Sequence, residues 1–449
     1  MRTMTPYLTP RRAARRAATT MLAAALCVTA GCNEFLIASN PGAIETADLN
    51  SVGYVSLLAN GPIFAFQAAH DDVAYWNGQF TDELVNRGNV NPFVEEGQID
   101  RRELYSDMSY INAFLYAPLQ RARFAGEDAA ARLKVILADS ASRDLRVARS
   151  LAYAGYSYLY LGEMMCTTPI DLGAPKSSAD IFGDALARFG EALTTATAAR
   201  DYALGLTPAN TALAIAADSV RYLALVGSAR AALNRDEKPQ AIAFANQVPA
   251  SFEFRSYYSD NSAGERNRTW DRLGAGNNAT LAGTPFEAMA GDPRIPRSTA
   301  PATRVGTPLS PSSYSTFSNT VEGGAFLPNA TVRIASGLEA RYIVAEAQGA
   351  TPATLDLVNE RRAAGLQTTP VVLAGDALMA ELRDQRSRDF YLDNHRLGDL
   401  RRYKQFYNVD LFPKGAYPGS TTGQVYDETI TCWPLPRNEI NENPNIPNG

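Results

Sequence analysis

With only two histidines in 449 residues, the sequence is poor in the commonest general base and metal ligand. His70 and His395 stand far apart, and no serine, cysteine or metal-ligand arrangement surrounds either of them in the sequence. A GxSxG elbow, an HExxH zinc motif, a phosphate-binding loop and a dinucleotide fingerprint are all missing from usable contexts. Carboxylates are abundant, but the ~5 to 9.5 Å separation that glycoside hydrolysis requires cannot be read from a count. The expectation is a protein without catalytic residues, metal or cofactor. Arginines are scattered and form no dense basic stripe, which sets nucleic acid aside as a partner. Beyond the first 31 residues no long uninterrupted apolar run suggests a permanent transmembrane helix.

The composition fits a folded chain, since 46% hydrophobic and 20% charged residues provide for a substantial core. Arg11, Arg12, Arg15 and Arg16 form a cationic segment, followed by an apolar stretch from Ala17 to Ala30 and then Cys32. This is the pattern of an export signal, and it is too short to span a bilayer, which takes ~20 residues. Val28-Thr29-Ala30-Gly31-Cys32 resembles a lipobox, with Thr29 where leucine is usual. Cys32 would then be lipidated and anchor the chain without spanning the membrane. An ordinary signal peptide cleaved near the same place is the alternative. The net charge is −5, and loss of residues 1–31 with their five arginines would leave −10. Of four cysteines, Cys27 leaves with the signal. Cys166 and Cys432 remain in an oxidising envelope, either bridged or as two separate buried thiols.

The pattern along the chain is mainly α. Residues 64 to 248 read as a succession of amphipathic helices. In Leu145 to Met165 the residues Ala148, Ala152, Gly155, Tyr156 and Leu159 recur at spacings of three and four, giving a locally small face that another helix can approach closely. Ser177 and Asp180 read as a capping box opening a helix with Ile181, Leu186, Phe189 and Leu193. Further pairs are expected over Asp218 to Val248, and over Gly337 to Gly349 with Thr351 to Gly365, where Thr351 is the N-cap and Pro352 the first helical residue. The pairs resemble tetratricopeptide repeats, with ordinary helical hairpins as the alternative. Residues 251–335 are rich in Gly, Pro, Ser, Thr and Asn, with scattered aromatics such as Phe252, Tyr314 and Phe317. They read as ordered loops packed on the helical body.

The carboxy-terminal third carries the most specific pattern. Arg386-Ser387-Arg388-Asp389-Phe390-Tyr391 leads into His395-Arg396-Leu397-Gly398-Asp399-Leu400-Arg401-Arg402, and the chain closes on Trp433-Pro434-Leu435-Pro436-Arg437-Asn438-Glu439-Ile440 and Asn443-Pro444-Asn445. These resemble the SusD/RagB signature, an ER-rich helix, a "GHRWFDLRR"-like element and a closing "PIPxxEIxxNPN" run. Glu339 to Glu346, Leu357 to Arg362 and Asp292-Pro293-Arg294-Ile295 add support. Gln385 stands where glutamate is usual, Asp393-Asn394 replaces Glu-Gly, and Gly398 replaces an aromatic.

The resemblance implies a SusD-like α-helical fold with a signal over 1–31 and a single domain over 32–449. That domain is divided into a helical-repeat part (32–250), a loop-rich part (251–335) and a last helix pair with motif helix and tail (336–449). It further implies an outer-membrane lipoprotein facing the cell exterior, which captures oligosaccharides for a SusC-like TonB-dependent transporter. A peptide-capturing relative and an envelope scaffold binding only protein are the alternatives. The His395–Arg402 motif reads as scaffold, with Arg396 and Asp399 spaced to pair or to tie down loop carbonyls. Candidate ligand residues come from sugar chemistry, because C–H faces stack on aromatic rings and hydroxyls need polar neighbours. They are Trp270 with Arg268, Asp271 and Arg272; Tyr257 and Tyr258 beside Asp260 and Asn261; and Tyr75 and Trp76 with Asn77.

Overall fold

The computed structural model describes residues 48–86, 95–270, 272, 279–281, 283–289, 291–295, 328–418 and 423–447. The expected signal, Cys32, Asp271, Tyr314 and Phe317 lie outside the described residues. Residues 50–449 gather into one compact unit. Its helices are α1 (Val55–Phe80), α2 (Glu95–Asp100), α3 (Ala117–Leu137), α4 (Leu145–Met164), α5 (Ser178–Gly205), α6 (Thr211–Leu233), α7 (Lys238–Ala245), α8 (Gly337–Gln348), α9 (Pro352–Ala364), α10 (Gly375–Asp389), α11 (Arg396–Tyr407) and α12 (Arg437–Glu442).

Helices α1, α3, α4, α5, α6, α7 and α8 pack in a chain of neighbours. The small face of α4 does what its spacing predicts. The Phe189 ring of α5 is wholly buried between Gly155 of α4 and Gly227 of α6, where an added Cβ would lie 2.6 and 2.3 Å from it. The ring fills the notch that two glycines leave, and burying it contributes about 1.5–3 kcal/mol. Two helical stretches, Val52–Phe80 and α6, are long and apolar enough by length and composition to cross a membrane. In the fold α6 lies against α5 and α7, and α1 against α3 and α4.

Local capping follows the sequence. Ser177 Oγ accepts from the Asp180 N–H and the Asp180 carboxylate accepts from the Ser177 N–H, closing the box at the start of α5. Thr351 caps α9 through the Thr354 N–H at 3.2 Å, with Pro352 at the first helical position.

The loop-rich part holds more regular structure than its composition suggests. Strand β1 (Val85–Asn86) pairs antiparallel with β3 (Ala279–Thr280), and β2 (Glu253–Ser256) pairs antiparallel with β4 (Val332–Ser336) across a bulge at Phe254/Arg255. The β2–β4 ladder brings the two ends of the excursion together. Gly337 then enters α8 so close to the Pro249 carbonyl that a Cβ would stand 2.1 Å from its oxygen.

Beneath the motif helices lies a buried ionic lattice. Arg230 holds Glu163 through two bonds of 2.7 Å, Arg402 holds Glu346 at 2.7 and 2.9 Å, and Asp399 accepts from both Arg386 and Arg402 at 2.7 Å. Burial opposes ionisation of Asp399, but the two arginines more than offset it and hold its carboxyl below the ordinary range. The expected Arg396–Asp399 contact does not form. Arg396 is drawn instead to Asp82 at the end of α1 (2.6 and 2.5 Å), and Arg401 ties down the carbonyls of Gly162, Glu163 and Met165. Both members of the expected pair are buried against other elements, where bidentate partners outcompete an i,i+3 neighbour.

The three departures from the motif have local reasons. Asn394 takes φ +60°, a conformation natural to glycine that asparagine tolerates, and its side chain accepts from Asn77 at 2.7 Å. Gln385 accepts from Arg294 at 2.9 Å and donates to Gln367 at 2.8 Å, using both ends of its amide. A Cβ at Gly398 would lie 2.8 Å from the Glu163 carboxyl carbon, so the buried Glu163–Arg230 pair occupies the space of a larger residue.

Cys166 and Cys432 form a disulfide with Cα atoms 5.0 Å apart. Beside it, Cys166 N–H donates to the Trp433 carbonyl and Trp433 N–H to the Met164 carbonyl. The Trp433 indole is fully buried and donates to Asn77 at 2.8 Å. The tail is thus fastened to α4 and α1.

Candidate functional site

The middle of α1 and the chain leaving β2 enclose a cavity of about 320 Å³. Phe64, Gln67 and Asp71 recur at spacings of three and four on α1 and line one side; Tyr257, Tyr258 and Arg268 line the other. His70 fixes the join between them. Its Nδ1 lies 2.9 Å from Ser256 Oγ at the end of β2, and its Nε2 lies 3.2 Å from the Tyr160 hydroxyl. Burial, with the neighbouring His395 and the Arg230 charge, lowers the imidazole pKa to about 3, so His70 is a neutral strut.

Tyr257 and Tyr258 diverge as neighbours in an extended chain do. Tyr258 turns inward and donates to the Gln67 carbonyl at 3.0 Å, while Tyr257 remains 66% exposed. Phe64, opposite, is 63% exposed. Behind them Asp71 accepts from the Arg268 N–H at 2.6 Å and the Asp72 N–H at 2.9 Å. Burial, then the adjacent Asp72 charge, pushes the Asp71 carboxyl up to about 8. Asp72 is also raised by burial, although Arg272 (2.6 Å) and Arg268 (3.7 Å) oppose the shift. The Arg268 side chain, close to half exposed, is left to face the cavity.

Three of the sequence candidates, Tyr257, Tyr258 and Arg268, therefore meet at one cavity. Tyr75 and Trp76 do not join them, being only 1% exposed. Trp76 stacks on Tyr110 at 4.9 Å, and the Arg272 guanidinium lies 4.6 Å from the Trp76 ring centre and 5.1 Å from that of Tyr75. Their ring faces are taken by the protein. The backbone of Trp270 closes a single helical turn (Arg268–Trp270), and its side chain lies outside the described residues. Phe64 escaped the sequence reading, yet it carries a signal: Leu57 and Phe64, seven residues apart, place two large apolar side chains on the exposed face of α1.

Both histidines are buried. His395 is buried, stacks on Phe390 at 4.5 Å and has its pKa driven well below the ordinary value by burial and the nearby arginines. Among the described residues no group of three or more His, Cys, Asp or Glu could hold a metal ion.

Residues 339–448, which hold the Glu163-facing motif helices and the bridged tail, match the model of the SusD family. The chain is SusD/RagB-like. Solved structures share the fold across most of its length. A SusD superfamily protein from Bacteroides thetaiotaomicron is 13% identical, with TM-score 0.66 over 88% of this chain and 99% of its own. One from Bacteroides fragilis is 14% identical, with TM-score 0.62 over 88% and 99%. A laminarin-binding SusD-like protein is 12% identical, with TM-score 0.52 over 86% and 97%. No curated protein matches the sequence. The fold is mainly helical with little strand, as it is in these SusD-like neighbours.

Proposed function

We propose that this SusD-like protein is a nonenzymatic, outer-membrane lipoprotein anchored at Cys32 that captures oligosaccharides at the Phe64–Tyr257 cavity. It then hands them to a SusC-like TonB-dependent transporter. The observation that carries the reading is the pair of open aromatic faces, Phe64 and Tyr257, flanking a cavity lined by the polar groups of Gln67, Asp71 and Arg268. Rings accept the C–H faces of a sugar, while amide, carboxyl and guanidinium groups take its hydroxyls. The family match and the laminarin-binding neighbour favour glycan over peptide. Signal, anchor and a single domain over 32–449 belong to the same proposal and rest on the sequence pattern ending at Cys32.

The test is a glycan and peptide array probed with the chain from residue 33 onward, followed by titration of any hit with Tyr257→Ala. Loss of about tenfold or more in affinity, with unchanged thermal stability, is expected for an exposed aromatic that serves the ligand. Unchanged affinity would remove Tyr257 from the site. Co-purification of a large β-barrel protein with the lipidated chain is the expected outcome for the transporter partnership.

A further inference from the structure

A second cavity, also of about 320 Å³, lies between the middle and C-terminal part of α10, the segment that follows α11 and the turn at Pro285–Met289. Phe286, Met289, Val409 and Leu411 give it apolar walls, and Arg383, Asp384, Asp82 and Arg396 also line it. Three of the charges are already matched: Arg396 clasps Asp82, and Asp384 receives Arg388 at 2.8 Å. Arg383 is different. Its guanidinium carbon lies 5.2 Å from the ring centre of Tyr403 and 5.5 Å from that of Tyr407, and among the described residues no carboxylate pairs with it. Its Nε is buried without a hydrogen-bond partner among the described residues.

The two tyrosines hold the guanidinium in a defined pose, so little side-chain freedom remains to be lost on binding. A fixed, unneutralised cation at the edge of an apolar hollow fits one ligand chemistry, a carboxylate on an apolar body of monosaccharide or amino-acid size. We propose that this cavity binds such a carboxylate, with Arg383 receiving the anionic end and Met289, Val409 and Leu411 the apolar end. The site is separate from the Phe64–Tyr257 cavity and does not depend on its assignment.

Calorimetric titration of the full chain with 3-phenylpropionate is expected to show saturable binding, at least about tenfold tighter than with 3-phenylpropionamide, which has the same shape without the charge. Arg383→Gln is expected to abolish the preference for the acid. Leu411→Trp fills the apolar end from a residue already 40% exposed and is expected to abolish binding of both compounds. This second variant keeps the test valid if Arg383→Gln fails to fold. No binding of the acid, equal binding of acid and amide, or unchanged binding by Leu411→Trp would each overturn the proposal.

Discussion

Glu83 is a position where charge and burial conflict. It is 1% exposed and accepts the Leu392 N–H at 2.8 Å; burial raises its carboxyl pKa to about 8, against the pull of that N–H and of Arg396. The native state therefore keeps a proton that the unfolded chain releases near pH 4. Between those values the folded form binds more protons, so this group lowers stability as pH rises, and the effect levels off above about pH 8. Glu83→Gln, which keeps the acceptor for Leu392, is expected to gain in melting temperature relative to the parent from pH 5 to pH 9. Parallel melting curves of the two proteins over that range would refute the assignment. The same conflict explains what the sequence hid at this scale. Tyr75–Trp76–Asn77 and Tyr257–Tyr258 look alike as polar-flanked aromatics. Only the packing of α1 against Tyr110 and Arg272 decides that the first set is core and that Tyr257 is free.

At the scale of elements, helices were legible because their signals are local. Ser177–Asp180, Thr351–Pro352 and the small face of α4 each lie within one or two turns, and each appears in the structure where the spacing puts it. The β2–β4 ladder was not legible, since Glu253 and Ser336 pair across a gap that no periodicity spans. Arg396 misled for a related reason, because its partner Asp82 is remote in sequence whereas Asp399 is near. The packing of Phe189 gives the sharpest test of helix approach. Gly227→Ala is expected to cost about 1–3 kcal/mol in denaturant unfolding, as overpacking does, and Phe189→Leu in the same chain should recover part of it. A neutral Gly227→Ala would contradict the close approach of α5 and α6.

For the whole molecule, one long-range covalent tie joins the tail to the bundle. The Cys166–Cys432 bridge spans 266 residues of sequence. In the unfolded chain it removes a large loop-closure entropy, so replacing both cysteines by serine is expected to cost roughly 2–5 kcal/mol. Calorimetry of the double variant under oxidising conditions checks this, and an unchanged melting temperature would contradict it. The bridge also suits a protein working in an oxidising envelope, which accords with the export pattern before Cys32.

The central claim is that this SusD-like fold serves capture at a cavity with open aromatic faces. The most direct measurement is titration of an array-identified oligosaccharide into the parent chain and into a Phe64→Ala/Tyr257→Ala variant. The account predicts saturable binding by the parent, lost in the variant while its melting curve is unchanged. Equal binding by both proteins, or no oligosaccharide bound by the parent, would contradict it.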